Sequence, residues 1–296
     1  MGIVPPIPVF DLAQNLQYEI LVGTHGAGAY RLPPPVIFRG TGAVSESCET
    51  GTGTCNAAVN DPTTSENGDT IVAFVFAGAK CHAIGDLQFT APWQLISGTS
   101  FDTSYDVGCS TDGTSAWVLT RPVNYGTPLP AGGAEGFNLA NPCITIQGQQ
   151  YCDETFSSTI AYSGATGGTL YGFDSAYKGS QGTSFTAPSF NFGQHDGVAV
   201  QWFLDMSLSS SEPYEDTYGS WIAWTPPSDP TLVVRQGGHI PAYTPQMLTD
   251  VPLPSAKTYG SWTAKAYSAV PAPGDPTPPP ATGVGFAWTV RIPPGN

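Results

Sequence analysis

Four histidines are the candidate proton-transfer groups of this chain: His25, His82, His195 and His239. A hydrolytic triad needs one of them held against a carboxylate, and only His195 has an acid beside it in sequence, Asp196. In an extended strand, adjacent side chains point to opposite faces, so Asp196 is badly set to orient His195. No G-x-S-x-G elbow, H-E-x-x-H pair, phosphate loop or dinucleotide fingerprint occurs. The residues therefore predict neither an enzyme nor a bound cofactor.

Two acidic clusters could offer oxygen ligands to calcium: Asp61, Glu66 and Asp69, and Glu212, Glu215 and Asp216. Neither has EF-hand spacing, and both lie in turn-rich segments where solvated acids are common. No metal site is predicted from them. The six cysteines include two close pairs, Cys48 with Cys55 and Cys143 with Cys152, alongside Cys81 and Cys109. The second pair brackets a stretch that reads as a small hairpin. Zinc ligand spacing fits poorly, which leaves local disulfides or buried free thiols, and a disulfide would form only after exposure to an oxidising medium.

Aromatic side chains could serve recognition, since a Trp or Tyr face stacks on a sugar ring. Trp93, Trp221, Trp224, Trp262 and Tyr259 are the candidates, with Gly-Ser-Trp recurring at 219–221 and 260–262. Of these, Trp221, Trp262 and Tyr259 are the expected glycan or partner contacts. The competing use of such rings is core packing.

The elements that must position these groups follow from composition. Nine Lys plus Arg stand against 23 Asp plus Glu, and charged residues are 11% of the chain, far below the roughly 25% of ordinary soluble domains. A formal charge of −14, with the few basic residues scattered singly, argues against nucleic acid as a partner and disfavours an acidic membrane surface. No apolar run is long enough for a spanning helix, so membrane insertion is not expected. The N-terminus lacks the basic and apolar regions of a signal peptide, which predicts a chain made in the cytoplasm. Abundant Gly and Pro, with Thr, Val, Tyr and Trp in place of strong helix formers, predict short strands joined by turns.

Residues 1–40 read as an extended Pro-rich arm, with one short helix over Asp11–Ile20 carried by Leu12, Leu16 and Ile20. Residues 41–296 read as one β-sandwich domain. Gly68–Ala77 is a continuous apolar run, as a buried central strand requires, and Ser115–Thr120 and Val198–Leu204 are similar. Phe156, Ser158, Ile160 and Tyr162 share one face, and Phe286, Trp288, Val290 and Ile292 another, which predicts half-buried strands with one wet face. The Pro-rich segment 271–280 reads as a stiff exposed connection, with a recognition loop as the alternative. All-β, with many strands and irregular connections, points to a jelly-roll-like β-sandwich.

The order Gly68-Asp-Thr-Ile-Val-Ala-Phe-Val-Phe, Thr90-Ala-Pro-Trp-Gln, Ser115-Ala-Trp-Val-Leu-Thr-Arg-Pro, Thr159-Ile-Ala-Tyr-Ser-Gly, Asp196-Gly-Val-Ala-Val-Gln-Trp-Phe and Gly285-Phe-Ala-Trp-Thr-Val-Arg resembles minor tail and other virion structural proteins of actinobacterial tailed phages. The chain departs from that pattern in its turn, Ala-Pro-Trp where a Pro-Gly-Trp is usual, and in its two cysteine loops. The resemblance carries no catalytic residues. It implies a non-enzymatic virion component, oligomeric in the particle, at the tail tip, whose partners are other virion proteins and copies of itself. The alternatives are a capsid decoration protein or an adhesin for host cell-envelope glycan, with a glycan hydrolase behind them.

Overall fold

The computed structural model describes residues 9–14, 20–24, 28–32, 35–43, 45–47, 56–79, 83–89, 91–103, 112–124, 136–139, 143–146, 148–152, 154–165, 175–182, 184–187, 190–191, 197–206, 221–225, 233–240, 244–252, 258–259, 262–267 and 283–295. Among them are 24 strands and no helix, so the described chain is all-β. The first three strands, β1 (Val9–Gln14), β2 (Ile20–Thr24) and β3 (Gly28–Leu32), form an antiparallel sheet of their own. Of the helix expected over Asp11–Ile20, residues 11–14 lie in β1 and Ile20 opens β2, while 15–19 lie outside the described residues. A ten-residue helix is marginal without an apolar partner, whereas Leu12, Ala13 and Gln14 find partners in Val22, Leu21 and Ile20, a run of β-formers on β2.

The next eleven strands are β4 (Ile37–Thr41), β5 (Ser45–Ser47), β6 (Asn56–Ala58), β7 (Thr70–Ala79), β8 (Leu87–Gln88), β9 (Gln94–Thr103), β10 (Asp112–Pro122), β11 (Gly136–Leu139), β12 (Cys143–Ile146), β13 (Gln149–Cys152) and β14 (Glu154–Ser163). Their main sheet runs β4-β14-β7-β10-β9, with β5 also pairing with β14, and a small sheet runs β6-β11-β8. Ile37–Thr41, placed partly in the arm by sequence, thus belongs to the main sheet.

The last ten strands are β15 (Ser175–Gly182), β16 (Ser184–Ala187), β17 (Phe190–Asn191), β18 (Val198–Met206), β19 (Trp221–Thr225), β20 (Val233–Ile240), β21 (Thr244–Pro252), β22 (Thr258–Tyr259), β23 (Trp262–Tyr267) and β24 (Gly283–Ile292). They give a main sheet β15-β24-β18-β21-β20 and a small sheet β16-β23-β19, with β17 pairing with β22.

The two main sheets face one another. Val72, Phe74, Phe76, Ala116, Val118, Ile160 and Tyr162 from the first meet Val198, Val200, Trp202, Trp288, Val290 and Ile292 from the second in one buried core. On the opposite face of β7 and β10, Ile71, Ala73, Val75, Trp117 and Leu119 pack with Trp93, Phe137 and Leu139 in a second core under the small sheet. Strand β7 is therefore covered on both faces, which explains its unbroken apolar run.

The same double cover corrects the expectation of a wet face on β14 and β24. Thr155, Ser157 and Thr159 alternate with the core-facing residues of β14 and are themselves buried, as are Ala287 and Thr289 on β24. Small residues let the covering chain approach closely. The Thr159 hydroxyl donates to the Asn60 carbonyl, and the Gly42 N–H donates to the Thr159 carbonyl at 3.0 Å. A Cβ on Gly42 would fall inside contact distance of the Asn60 backbone and the Thr159 hydroxyl. Because backbone cannot swing aside as a side-chain tip can, Gly42→Ala is expected to cost about 2 kcal/mol of unfolding free energy, measured by urea titration.

Candidate functional site

The densest group of charged side chains among the described residues gathers around the connection from β6 to β7, Asn60-Asp-Pro-Thr-Thr-Ser-Glu-Asn-Gly-Asp69. Its composition dictates two successive turns. In the first, the Pro62 carbonyl accepts from the Ser65 N–H at 3.0 Å and the Ser65 hydroxyl at 2.8 Å. In the second, the Asp69 N–H donates to the Glu66 carbonyl at 3.0 Å, with Gly68 at φ 90° in the position that requires left-handed backbone. The Glu66 N–H donates in turn to Asp69 Oδ2 at 2.8 Å. Backbone bonds from Gly68 to Val123 (2.9 Å) and from Val123 to Asp69 (2.7 Å) fasten the second turn to the end of β10.

Two arginines close the arrangement from neighbouring strands. Arg39, on β4, reaches Glu66 Oε2 at 2.9 Å and Asp69 Oδ2 at 3.4 Å, while its carbonyl accepts from the Thr64 hydroxyl at 2.6 Å. Arg121, on β10, pairs through Nη2 with Asp61 Oδ2 and lies 5.0 Å above the Trp93 ring. Trp93 in turn meets Phe137 edge-on, with centroids 5.1 Å apart. The two pairs differ in weight. Arg39 and Glu66 are 34% and 67% exposed, so that contact contributes at most about 1 kcal/mol. Arg121 is only 4% exposed, so its charge depends on Asp61 and on the aromatic face.

This geometry decides the fate of the first acidic cluster. Asp61, Glu66 and Asp69, weighed as calcium ligands, are each engaged by an arginine, and among the described residues no group of three His, Cys, Asp or Glu is placed to hold a metal ion. Chemically the arrangement is a lock: two cations from separate strands hold a turn-rich connection against the main sheet. Sequence reasoning missed Arg39 and Arg121, and no local signal marks pairs so far apart along the chain.

The aromatic candidates are dispersed. Trp93 is 5% exposed and belongs to the second core, so it is no sugar platform. Trp221 and Trp262 lie on neighbouring strands, but the register pairs Trp221 with Tyr267, five positions along β23 from Trp262. Residues an odd number apart on a strand sit on opposite faces, so the two tryptophans occupy different faces of the small sheet. Trp224, opposite Ala264, shares the face of Trp262. Tyr259 is in a separate two-stranded sheet, opposite Phe190.

Cys143 is disulfide-bonded and stands directly opposite Cys152 in the β12–β13 hairpin. Cross-strand Cα spacing suits a disulfide between them. Non-reducing peptide mapping of protein purified in air is expected to recover residues 143 and 152 in one linked peptide. Recovery of Cys152 as a free thiol would refute that pairing. Cys48, Cys55, Cys81, Cys109, His25, His82, His195, Asp196 and the second acidic cluster lie outside the described residues. His239 falls on β20, opposite Pro245.

No family model matches the chain, and no curated protein or solved structure matches it either.

Proposed function

We propose that the chain is a non-enzymatic structural component of a tailed-phage virion, a minor tail protein of the tail tip that docks through residues 1–40. The observation that carries the reading is the strand order. Within each half, the first strand of the main sheet pairs with the last, the last with a middle strand, and three of the other strands form a second sheet. We read that order as a jelly roll, an architecture common to viral shell proteins and lectins. Fold is an analogy and does not specify activity; the sequence resemblance to virion proteins selects the viral use.

Two further features support a mechanical role. The described acids of the connection from β6 to β7 are each paired with an arginine. The deepest side chains, Trp202, Trp288, Tyr162 and Phe74, serve the core between the sheets. Both arrangements resist deformation and neither presents a reacting group. Immunogold electron microscopy of particles with an epitope tag after Asn296 tests the location: label at the tail tip supports the reading, and label spread over the capsid replaces it with a decoration role.

A further inference from the structure

We infer that the chain is a tandem duplication: two copies of one unit, packed through equivalent sheets about a pseudo-two-fold axis, so that a dimer interface is carried inside a single chain. This goes beyond the proposed function and does not depend on it. The first sign is topological. The path β4-β14-β7-β10-β9 and the path β15-β24-β18-β21-β20 use strands in the same chain order, and the small sheets β6-β11-β8 and β16-β23-β19 draw their strands from the same three intervals of each half.

Pairing registers agree as well. Val72 is opposite Ile160 on one side and Thr120 on the other, while Val200 is opposite Val290 and Asp250. Matching Val72 to Val200 fixes every other equivalence in the sheet. It sets Val118 on Leu248 and Leu119 on Thr249. Between these two residues each edge strand carries a bulge: β9 passes from Ser97 to Leu95 across Val118 and Leu119, and β20 from Gln236 to Val234 across Leu248 and Thr249. Ile96 and Arg235 are thus the same inserted residue. A bulge is a single-residue event that bends one strand at one place, so its recurrence at a matched register is the mark of a copied unit.

The same match locates the axis. It makes Phe74 the equivalent of Trp202, and these two rings touch, 5.1 Å between centroids. In an isologous interface a residue that touches its own equivalent lies on the two-fold. A second point comes from the ends of β14 and β24. Matching Ile160 to Val290 makes Gly164 and Ala165 equivalent to Pro294 and Gly295. The structure joins these four residues, by the bridge Ala165 to Pro294 and the Gly295 N–H donating to the Gly164 carbonyl at 2.6 Å.

Side chains at the interface have diverged where covalent linkage permits it. Trp288, stacked on Trp202 with centroids 5.0 Å apart, occupies the position that Ser158 holds in the first unit. The two copies thus carry a large ring and a small hydroxyl side chain at one equivalent position.

The test uses the full-length chain. Trp202→Phe should leave a void and Phe74→Trp should overpack, each lowering the thermal midpoint. The double variant transposes the pair through the axis and is expected to lose less than half the summed loss of the singles. A double variant that loses the full sum or more overturns the axis. A crystal structure of the unaltered protein gives a second measurement, independent of how the variants fold. Superposing residues 37–163 on 175–292 should take close to a half-turn and bring Ile96 onto Arg235. A rotation far from that, or an Ile96 bulge with no counterpart at Arg235, overturns the duplication.

Discussion

Trp202→Ala is expected to destabilise the protein by about 4 kcal/mol, the largest single-residue effect among the described residues. Trp202 is fully buried on β18, stacked on Trp288 and in contact with Phe74 from the facing sheet. Its removal takes away apolar surface and leaves a cavity whose walls are held by two sheets, which cannot both collapse into it. Urea unfolding followed by far-UV circular dichroism reads the loss as a shifted midpoint with unchanged slope. Leu95→Ala is the comparison: Leu95 is 48% exposed on the edge strand β9, and its truncation should stay within about 0.5 kcal/mol. Equal effects at the two positions would mean that the core between the main sheets is not where stability resides.

Asp61→Asn is expected to cost about 3 kcal/mol, because it strips the counter-charge from a buried guanidinium while keeping side-chain shape. The pair is unequal: Arg121 is 4% exposed and Asp61 22%. The cation is the more deeply buried partner, so it suffers more when the pair is broken. Arg121→Met, which removes the buried charge and keeps an apolar stem over Trp93, should therefore cost less than Asp61→Asn. Burial also shields the pair from salt, so the difference should persist at high ionic strength. If Arg121→Met proved the more damaging change, packing against Trp93 would outweigh charge in this lock.

How much of this was legible in the sequence depended on how local the cause was. The apolar run Ile71–Ala77 announces a strand covered on both faces, and β7 is one. The alternation in β14 and β24 reads as a wet face because Thr, Ser and Ala look the same whether they meet water or a closely approaching chain. On β14 what separates the cases is distant in sequence: Asn60, whose carbonyl accepts from the Thr159 hydroxyl, and Gly42, whose N–H donates to the Thr159 carbonyl. The Asp11–Ile20 helix failed for a related reason, since four-residue spacing of Leu is a weak signal beside pairing with a neighbouring strand.

At the site, the acids were visible and their partners were not. Asp61 and Arg121, or Arg39 and Asp69, become neighbours only after the strand order is set. The tryptophans teach the same lesson by parity: Gly-Ser-Trp occurs twice, yet the register of β19 against β23 puts the two rings' strand positions on opposite faces. Repetition in sequence was not repetition in place. The repeat that does exist, in strand order and bulge, leaves little trace in residue identity because an interface inside one chain is free to trade Ser158 for Trp288.

The central functional claim is that the protein is built into a virion and held there through its first 40 residues. Its most direct test is mass spectrometry of intact particles purified from cells that produce the chain, with residue-level mapping of chemical cross-links. The account predicts peptides spanning the chain in the particle, and cross-links from residues 1–40 to other virion proteins or to further copies. A chain abundant in infected cells but missing from purified particles would contradict it.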